Sequence, residues 1–450
     1  MNLPEQYLKN MKEILGADYS KYVESMSKEP VSALRLNRQK ADQSVLGEFD
    51  IVKKVSFADN GYIIASSKIG KHPYHIAGLV YVQEPSSMLP IVASGLDNEE
   101  NLEEIKILDL CAAPGGKTGQ IAEILDGRGV LVSNEIERQR ARILQGNVER
   151  MGYKNVIITS AAPSQLSAYL TGQFDYIFVD APCGGEGMFR KDPSTILEWK
   201  QERLSSNAKR QKEILCEANK MLKTGGKLVY STCTFSPTED EDVAEWFANE
   251  FNYEFIIPTD NVLNATTCLS NNACRRFYPF LNDGEGQFVC VMRKKSEQLA
   301  EIRPFKQYIV GKTEQNLLNS FVKDNFKLNF APNYAKVGDN YCIINQKLQN
   351  MLNFMAKIPQ INVGVTVGTI EKGRVVPHNN MFSAFGDYAK NKLNLSLEDS
   401  RLAKYLHGEE LENKDGFSGF VAVCVNGHAV GGARASGTSL KNLFPKGLRL

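Results

Sequence analysis

The stretch that decides the fold of this sequence covers residues 107–125 and reads ILDLCAAPGGKTGQIAEIL. An apolar run ends at Leu110, a tight loop of small residues follows, and a helical pattern begins near Thr118. Alanine and glycine in such a loop let the backbone approach a ligand closely, and a helix N-terminus offers free N–H groups. The stretch therefore predicts a strand, a ligand-binding loop and a helix in succession.

Similar apolar runs alternate with amphipathic helical patterns through the middle of the chain. The five predicted strands cover residues 105–110, 129–134, 155–160, 176–181 and 226–232. Their short, mostly apolar, β-branched composition is typical of strands buried on both faces, and their alternation with helices predicts an α/β fold with a doubly wound, Rossmann-like sheet. Such sheets bind ligands beyond the carboxyl ends of their strands.

The chain divides into four predicted regions. Residues 1–75 are expected to form a small α+β unit and residues 76–295 the α/β core, and the charged stretch 293–304 is interpreted as a linker. Residues 305–390, rich in Asn and Lys, are interpreted as an irregular linking region, and residues 391–450 as a strand-rich unit.

The C-terminal end carries a local excess of positive charge. From residue 432 to 450 no acidic side chain occurs, and the basic ones are Arg434, Lys441, Lys446 and Arg449. A solvated tail fits this pattern, and so does a tail that contacts RNA, with Phe444 interleaved among the charges.

Composition restricts the class of protein. Hydrophobic content of 42%, charged content of 23% and a net charge of +1 are ordinary for a globular chain, so a polyanion could be held only by local patches. Nine irregularly spaced cysteines without a CxxC pair indicate free thiols in a reduced, cytoplasmic compartment. We expect no metal site, no membrane-spanning segment and a monomer.

A carboxylate completes the predicted ligand site. Glu135 closes the second core strand, about 20 residues after Gly115, where an acid can accept hydrogen bonds from both ribose hydroxyls of a nucleoside. The string GGKT imitates a P-loop, but Cys111 stands where that motif needs its first glycine, which disfavours an NTPase. No GxGxxG occurs, which disfavours NAD. The loop therefore predicts S-adenosylmethionine, a nucleoside cofactor without phosphates.

Two cysteines follow predicted strands at the same edge of the sheet. The fourth strand leads into Asp180 and Cys183, and the fifth leads into Cys233. Because these strands are usually neighbours in a doubly wound sheet, both thiols are expected to face one crevice beside the cofactor loop. A thiolate that adds to carbon 6 of cytosine activates carbon 5 for methylation, and Asp180 could hydrogen-bond the edge of the ring.

The residues leave alternatives open. Enzymes that methylate an exocyclic amine typically carry Asn or Asp, Pro-Pro and an aromatic residue at this strand end, so Cys183 favours carbon chemistry. A non-enzymatic ribosome-assembly factor on an inactive scaffold is disfavoured by the intact Cys183, Cys233, Asp180 and Glu135. The sequence does not order the two thiols, since either could be the nucleophile.

Several strings, in this order, resemble the Sun/Nop family of RNA cytosine-5 methyltransferases. They are YVQEPSSM (81–88), APGGKT (113–118), DAPC (180–183), GEGMFRKDP (185–193), YSTCTF (230–235) and RRFYPFLNDGEGQFVCVM (275–292). Within the family, the FRKD string and the terminal NLFPKGLR are most similar to the RsmF branch, which modifies small-subunit (16S) ribosomal RNA. The resemblance implies an S-adenosylmethionine-dependent enzyme with an RNA-binding N-terminal extension and a PUA-like RNA-binding region at the C-terminus.

The resemblance also implies roles for individual residues. Cys233 would be the nucleophile, Cys183 would assist product release, and Asp180 would reach the base. The implied cofactor pocket comprises Cys111, Ala112, Ala113, Pro114, Gly115, Gly116, Lys117, Glu135 and Asp180. Arg140 is either a further cofactor contact or a surface arginine.

This sequence departs from the family pattern in two places. Many members have Ser where Gly184 follows the Pro-Cys cysteine. Many also have an acid after the third strand that contacts adenine, where this chain has Ala161 and Ala162. A backbone N–H at that place could substitute for the missing acid.

Overall fold

The computed structural model describes residues 2–66, 68–296, 304 and 310–450. Most of the predicted linker at 293–304 lies outside the described residues, and its first two residues end the strand Gln287–Lys294 of the central sheet. No helix in the described part combines the length and the apolar character needed to cross a membrane.

The N-terminal unit contains a small antiparallel sheet and three helices, of which the first two pack outside this sheet. Its helices are α1 (Glu5–Leu15), α2 (Tyr19–Met26) and α3 (Pro73–Ile76), and its strands are β1 (Ser32–Leu36), β2 (Ile51–Lys54), β3 (Gly61–Ile64) and β4 (Val80–Val82). The strand order is β2-β3-β1-β4. Apolar residues of α1 and α2 pack on Phe189, Phe235 and Tyr278, beside the loops that follow the fourth and fifth core strands.

The central sheet contains all five predicted core strands. Its strands are β5 (Lys106–Asp109), β6 (Val130–Asn134), β7 (Val156–Thr159), β8 (Phe174–Asp180), β9 (Leu222–Thr232), β10 (Tyr253–Ile256), β11 (Cys274–Phe277) and β12 (Gln287–Lys294). The order β9-β8-β5-β6-β7 is parallel throughout, and β12 and β10 extend it antiparallel beyond β9. The predicted doubly wound core is therefore confirmed.

Helices cover both faces of this sheet. They are α4 (Leu89–Ala93), α5 (Gly116–Leu125), α6 (Arg138–Met151), α7 (Pro163–Leu170), α8 (Ser194–Glu198), α9 (Gln201–Met221), α10 (Glu241–Phe251) and α11 (Asp260–Ala265). Leu108 and Ile177 belong to the hydrophobic cluster on one face, while Ile107 and Phe178 belong to the cluster on the other. Because successive strand residues face opposite sides and both sides are buried, the strands read as continuous apolar runs.

The prediction of an irregular region between residues 305 and 390 was wrong. The described part contains α12 (Lys312–Asn325), α13 (Gln346–Phe354), α14 (Asn379–Phe385), β13 (Asn333–Val337), β14 (Asn340–Ile344), β15 (Gln360–Val363), β16 (Val365–Glu371) and β17 (Arg374–Pro377). Strands β13-β14-β16-β17 form an antiparallel sheet, whereas β15 pairs with β7 at the edge of the central sheet. These short strands contain exposed Asn and Lys residues, such as Asn340 and Lys336, which obscure the pattern of buried residues in the sequence.

The C-terminal unit is a mixed sheet with one helix. It consists of α15 (Ser400–His407), β18 (Lys392–Leu395), β19 (Leu411–Glu412), β20 (Phe420–Val425), β21 (His428–Ser436) and β22 (Ser439–Asn442), in the order β18-β20-β21-β22-β19. The basic side chains Arg434, Lys441, Lys446 and Arg449 are all exposed. Phe444 is buried against Tyr405, with ring centroids 5.6 Å apart, so it is a core residue and cannot stack on RNA in this conformation.

Candidate active site

The two predicted thiols lie at the carboxyl ends of neighbouring strands. Strand β8 ends at Asp180 and β9 at Thr232, and Asp180 is in register with Ser231. The loops that follow carry Cys183 and Cys233, whose Sγ atoms are 3.3 Å apart. Both cysteines are free and half-buried, so the pair combines close approach with access from solvent.

Hydrogen bonds between the two loops hold the thiols together. The Gly187 N–H donates to the carbonyl oxygen of Cys233 at 2.8 Å. The Glu186 carboxylate accepts from the Phe235 N–H and from the Trp199 indole, each at 2.8 Å. The separation of the sulfurs is therefore set by backbone contacts and a buried carboxylate.

Asp180 accepts hydrogen bonds at both carboxylate oxygens. Lys117 Nζ lies 2.8 Å from Oδ2, while Ser231 Oγ and Gln287 Nε2 donate to Oδ1 at 2.8 and 3.2 Å. The structure thus brings together Lys117 from the cofactor loop and Asp180 from β8, as the resemblance implies. Ser231 and Gln287 were missed by the sequence analysis, although both lie in the strings YSTCTF and GEGQ that carry the resemblance.

The charges at the site differ between the two sulfurs. Burial lowers the pKa of Lys117, but the adjacent Asp180 outweighs it, and the Cys233 sulfur acts in the same direction, so the pKa is raised overall. The pKa of the Cys183 thiol is raised well above its ordinary value, first by its hydrogen bond to Cys233 and then by burial. Burial and the neighbouring sulfur thus both favour the protonated form of the Cys183 thiol.

The predicted cofactor loop packs closely against helix α6. Gly115 has φ of 114°, and a Cβ there would lie 2.9 Å from Leu144 Cδ1, so a larger residue would be strained and would clash. The loop is anchored by Ala112 N–H, which donates to the Asn134 carbonyl at 2.8 Å, and by Asn147, which donates to the Pro114 carbonyl at 2.9 Å.

Glu135 and Arg140 form one unit with this loop. Arg140 lies 3.1 Å from a Glu135 carboxylate oxygen and donates to the Ala113 carbonyl at 2.9 Å. Glu135 also accepts from the Glu137 N–H at 3.0 Å. In this geometry Arg140 positions the Glu135 carboxylate against the loop. This role differs from the two that the sequence left open for Arg140, a direct cofactor contact or a surface arginine.

Two further residues bear on the predicted pocket. Asp109, missed by the sequence analysis, is buried at the end of β5, where Thr118 donates to Oδ2 at 2.6 Å and Oδ1 has no hydrogen-bond partner in the described structure. Burial raises the pKa of Asp109 to about 7. Burial likewise raises the pKa of the Cys111 thiol, so Cys111 is a neutral lining group.

The backbone N–H groups after the third core strand, where many family members carry an acid, form hydrogen bonds within the chain. The Ala161 N–H donates to Asn134 Oδ1 at 3.1 Å, and the Ala162 N–H donates to Gln165 Oε1 at 2.9 Å. Both N–H groups therefore already have partners within the chain in this conformation.

The other strings that carry the resemblance brace the site from behind. Glu84 accepts hydrogen bonds from the Glu285 N–H at 2.7 Å and from the Ser86 N–H at 3.0 Å. Arg190, in the FRKD string, forms a buried ion pair with Glu285 at 2.8 Å and donates to the Ser25 carbonyl at 3.0 Å. These contacts tie the N-terminal unit, the loop after Cys183 and the loop before β12 into one block.

Comparisons with known proteins match this arrangement. The family model for 16S rRNA methyltransferase RsmB/F matches residues 96–293. Models for the N-terminal domain of 16S rRNA methyltransferase RsmF and for the methyltransferase RsmF PUA domain match residues 3–85 and 392–450. The ribosomal RNA small subunit methyltransferase F of Shewanella woodyi is 32% identical over 418 residues, which cover 88% of this chain and 84% of that protein. The chain belongs to the RsmF family.

A second relative in the RsmF family, the methyltransferase F of Vibrio cholerae, is 32% identical over 309 residues, covering 65% of this chain and 64% of its own length. A solved methyltransferase homolog from Pyrococcus horikoshii is 28% identical, with a TM-score of 0.55, over 65% of this chain and 95% of its own. NSun6 from the same organism, solved with SFG, shares the fold at a TM-score of 0.56 and 19% identity, over 65% of this chain and 99% of its own. The resemblance and the predicted fold class are confirmed.

Proposed function

We propose that this protein transfers a methyl group from S-adenosylmethionine to carbon 5 of a cytosine in small-subunit ribosomal RNA. One observation carries the proposal: two free thiols 3.3 Å apart lie beside the Lys117–Asp180 pair, at the sheet edge next to the cofactor loop. Membership in the RsmF family supports small-subunit ribosomal RNA as the substrate class.

The donor set fits the proposed cofactor. The backbone at Gly115 leaves no room for a side chain, and the Glu135 carboxylate lies at the end of β6, where ribose hydroxyls are bound in such folds. The orphaned Oδ1 of Asp109, beneath the loop, provides an acceptor that the chain itself does not use. When bound, S-adenosylmethionine supplies an electrophilic methyl group on a sulfonium.

Cys233 is the proposed nucleophile. Its sulfur contributes the electron pair of a new bond to carbon 6, which pushes electrons onto carbon 5 and makes that carbon reactive toward the methyl group. Asp180, with both oxygens already accepting from Lys117, Ser231 and Gln287, is suited to accept a further hydrogen bond from the exocyclic amine of cytosine. Uracil would present a carbonyl oxygen there, which a carboxylate repels.

Cys183 is proposed to assist release of the product. After methyl transfer the carbon 5 proton leaves to a base, the ring double bond re-forms, and the electrons of the sulfur–carbon bond return to Cys233. A thiol held 3.3 Å from the departing sulfur can stabilise the negative charge that develops there. The target base must be single-stranded or flipped out, since carbon 6 is inaccessible in a stacked helix.

The proposal is tested by methylation of purified ribosomal RNA and assembled small subunits with labelled S-adenosylmethionine, followed by bisulfite sequencing. The same sequencing is applied to cells with and without the gene. We expect at least one cytosine of the small-subunit RNA to lose its protection from bisulfite when the gene is removed. Unchanged protection in the cells, together with no label transfer to either substrate, would contradict the proposal.

A further inference from the structure

Behind Cys183 lies a buried carboxylate that the proposed mechanism does not use. Glu239 is fully buried in the segment between β9 and α10, yet no lysine or arginine in the described part of the chain lies within ion-pair distance of it. A carboxylate buried without a cation is costly unless hydrogen bonds compensate it. Its position next to a catalytic loop therefore needs an explanation.

The hydrogen bonds of Glu239 form a clamp on both sides of Cys183. The Gly184 N–H, one residue after the thiol, donates to both carboxylate oxygens at 3.1 and 3.2 Å. Gln211 Nε2, on α9, donates to Glu239 at 2.8 Å and to the Pro182 carbonyl, one residue before the thiol, at 3.0 Å. The peptide groups flanking Cys183 are thus fixed by one carboxylate and one amide.

Gly184, which stands where many family members have serine, is one of the residues that Glu239 contacts in this clamp. A Cβ added at Gly184 would lie 2.9 Å from Glu239 Oε1, closer than side-chain atoms normally approach. The glycine allows the carboxylate to reach the backbone beside the thiol. A side chain at position 184 would therefore require the Glu239 carboxylate to move.

The charges on the two sides of the thiol pair are opposite. Lys117 lies on the side of the cofactor loop, paired with Asp180, whereas Glu239 lies behind Cys183, bound to the Gly184 N–H, and its negative charge disfavours deprotonation of the Cys183 thiol. We propose that Glu239 is a positioning residue that, through its contact with the Gly184 N–H, keeps a proton on Cys183, so that Cys183 does not compete with Cys233 as the nucleophile. This inference rests on the proposed function for its biological meaning, and it supplies the order of the two thiols that the sequence left open.

The control by Glu239 depends on pH. Burial raises the pKa of Glu239 to about 7, against the hydrogen bonds from Gln211, Gly184 and Asn207 and in the same direction as nearby Glu186. Below that pH the carboxyl is neutral and no longer opposes a thiolate at Cys183. Above it the charge is present and the preference for Cys233 is largest.

The experiment measures alkylation of each thiol in the full-length protein with iodoacetamide, without RNA or cofactor, by mass spectrometry of the two peptides at pH values on both sides of 7. In the unmodified protein we expect the ratio of Cys183 to Cys233 labelling to fall as pH rises through about 7. In Glu239→Gln the ratio should rise roughly tenfold above pH 7, the factor given by one pKa unit, and lose this pH dependence.

Matched variants separate charge from packing. Glu239→Asp keeps the charge and should retain the preference for Cys233, and Asp242→Asn removes an exposed charge three residues away and should change nothing. Gln211→Met, which removes a donor to the carboxylate, should shift the ratio in the same direction as Glu239→Gln. The inference is overturned if Glu239→Gln leaves the ratio of Cys183 to Cys233 labelling unchanged. If that variant does not fold, the inference is overturned when the ratio in the unmodified protein does not change with pH. Because alkylation requires no RNA, the inference can survive or fail separately from the proposed methylation.

Discussion

The chain contains two cysteine pairs with similar sulfur separations and different surroundings. Cys183 and Cys233 are 3.3 Å apart on loops beyond the strand ends, and both are half-buried. Cys274 and Cys290 are 3.6 Å apart at facing positions of β11 and β12, and both are fully buried. Proximity of two sulfurs therefore does not by itself produce a reactive pair.

The difference lies in charge and access. Near the first pair the chain places Lys117, Asp180 and Glu239, and the loops leave the sulfurs open to a substrate. Around the second pair, burial raises the pKa of Cys290 first, with its hydrogen bond to Cys274 adding to the effect. A thiol kept neutral in an apolar core is a small hydrophobic group, whereas a thiol at a charged strand end can become a nucleophile.

The largest effect on methylation is expected when the proposed nucleophile of the first pair is removed. Cys233→Ala should reduce methylation of small-subunit RNA by at least about 10⁴-fold, because the proposed bond from the Cys233 sulfur to carbon 6 can no longer form. Calorimetry should detect unchanged binding of S-adenosylmethionine, since the cofactor loop is intact. Turnover at a rate close to that of the unmodified protein would exclude the covalent mechanism.

Removal of the second thiol should trap the intermediate. In Cys183→Ala the sulfur–carbon bond still forms, but its cleavage loses the assisting group, and we expect turnover to fall by about 10²- to 10⁴-fold. Protein–RNA adducts should then accumulate and survive a denaturing gel. The double variant Cys183→Ala, Cys233→Ala is the control, and adducts in that variant would assign the bond to another residue.

The core strands and the approach of the two thiols were predictable because they follow from local patterns and one general rule. Residues 105–110 and 176–181 read as buried strands without any knowledge of their partners, and the carboxyl ends of adjacent parallel strands meet at one edge. The sequence thus predicted that Cys183 and Cys233 face one crevice. Their assigned order came from the family resemblance, since no local signal distinguishes two cysteines after two strands.

The missed features depend on contacts between distant segments. Gln287 reaches Asp180, and Glu239 reaches Gly184, only after the sheet has formed. Strand β15 is stabilised by pairing with β7 across about half the chain, so its own short polar context gave no strand pattern. Phe444 resembled an RNA-stacking residue because sequence does not reveal which face of a short strand-rich unit is buried.

A smaller effect is expected at the proposed cofactor pocket, which lies beside both thiols of the first pair. Glu135→Gln should weaken binding of S-adenosylmethionine by about 10- to 150-fold, because a charge-assisted hydrogen bond contributes roughly 1.5 to 3 kcal/mol. Isothermal titration calorimetry measures the change directly. Glu137→Gln, an exposed carboxylate on the same segment, is the control and should bind normally. Equal affinity of both variants would remove Glu135 from the pocket.

The smallest effect on methylation is expected at the buried pair. Cys290→Ala should leave the methylation rate within about twofold, because Cys290 contacts no catalytic group and the loops of the first pair do not depend on its sulfur. It should still lower the free energy of unfolding by about 1 kcal/mol, since a buried sulfur is lost from a packed strand. Urea denaturation measures the stability, and the same preparation is assayed for methylation. A large loss of activity at unchanged stability would mean that the buried pair takes part in the chemistry, and the contrast between the two pairs would no longer hold.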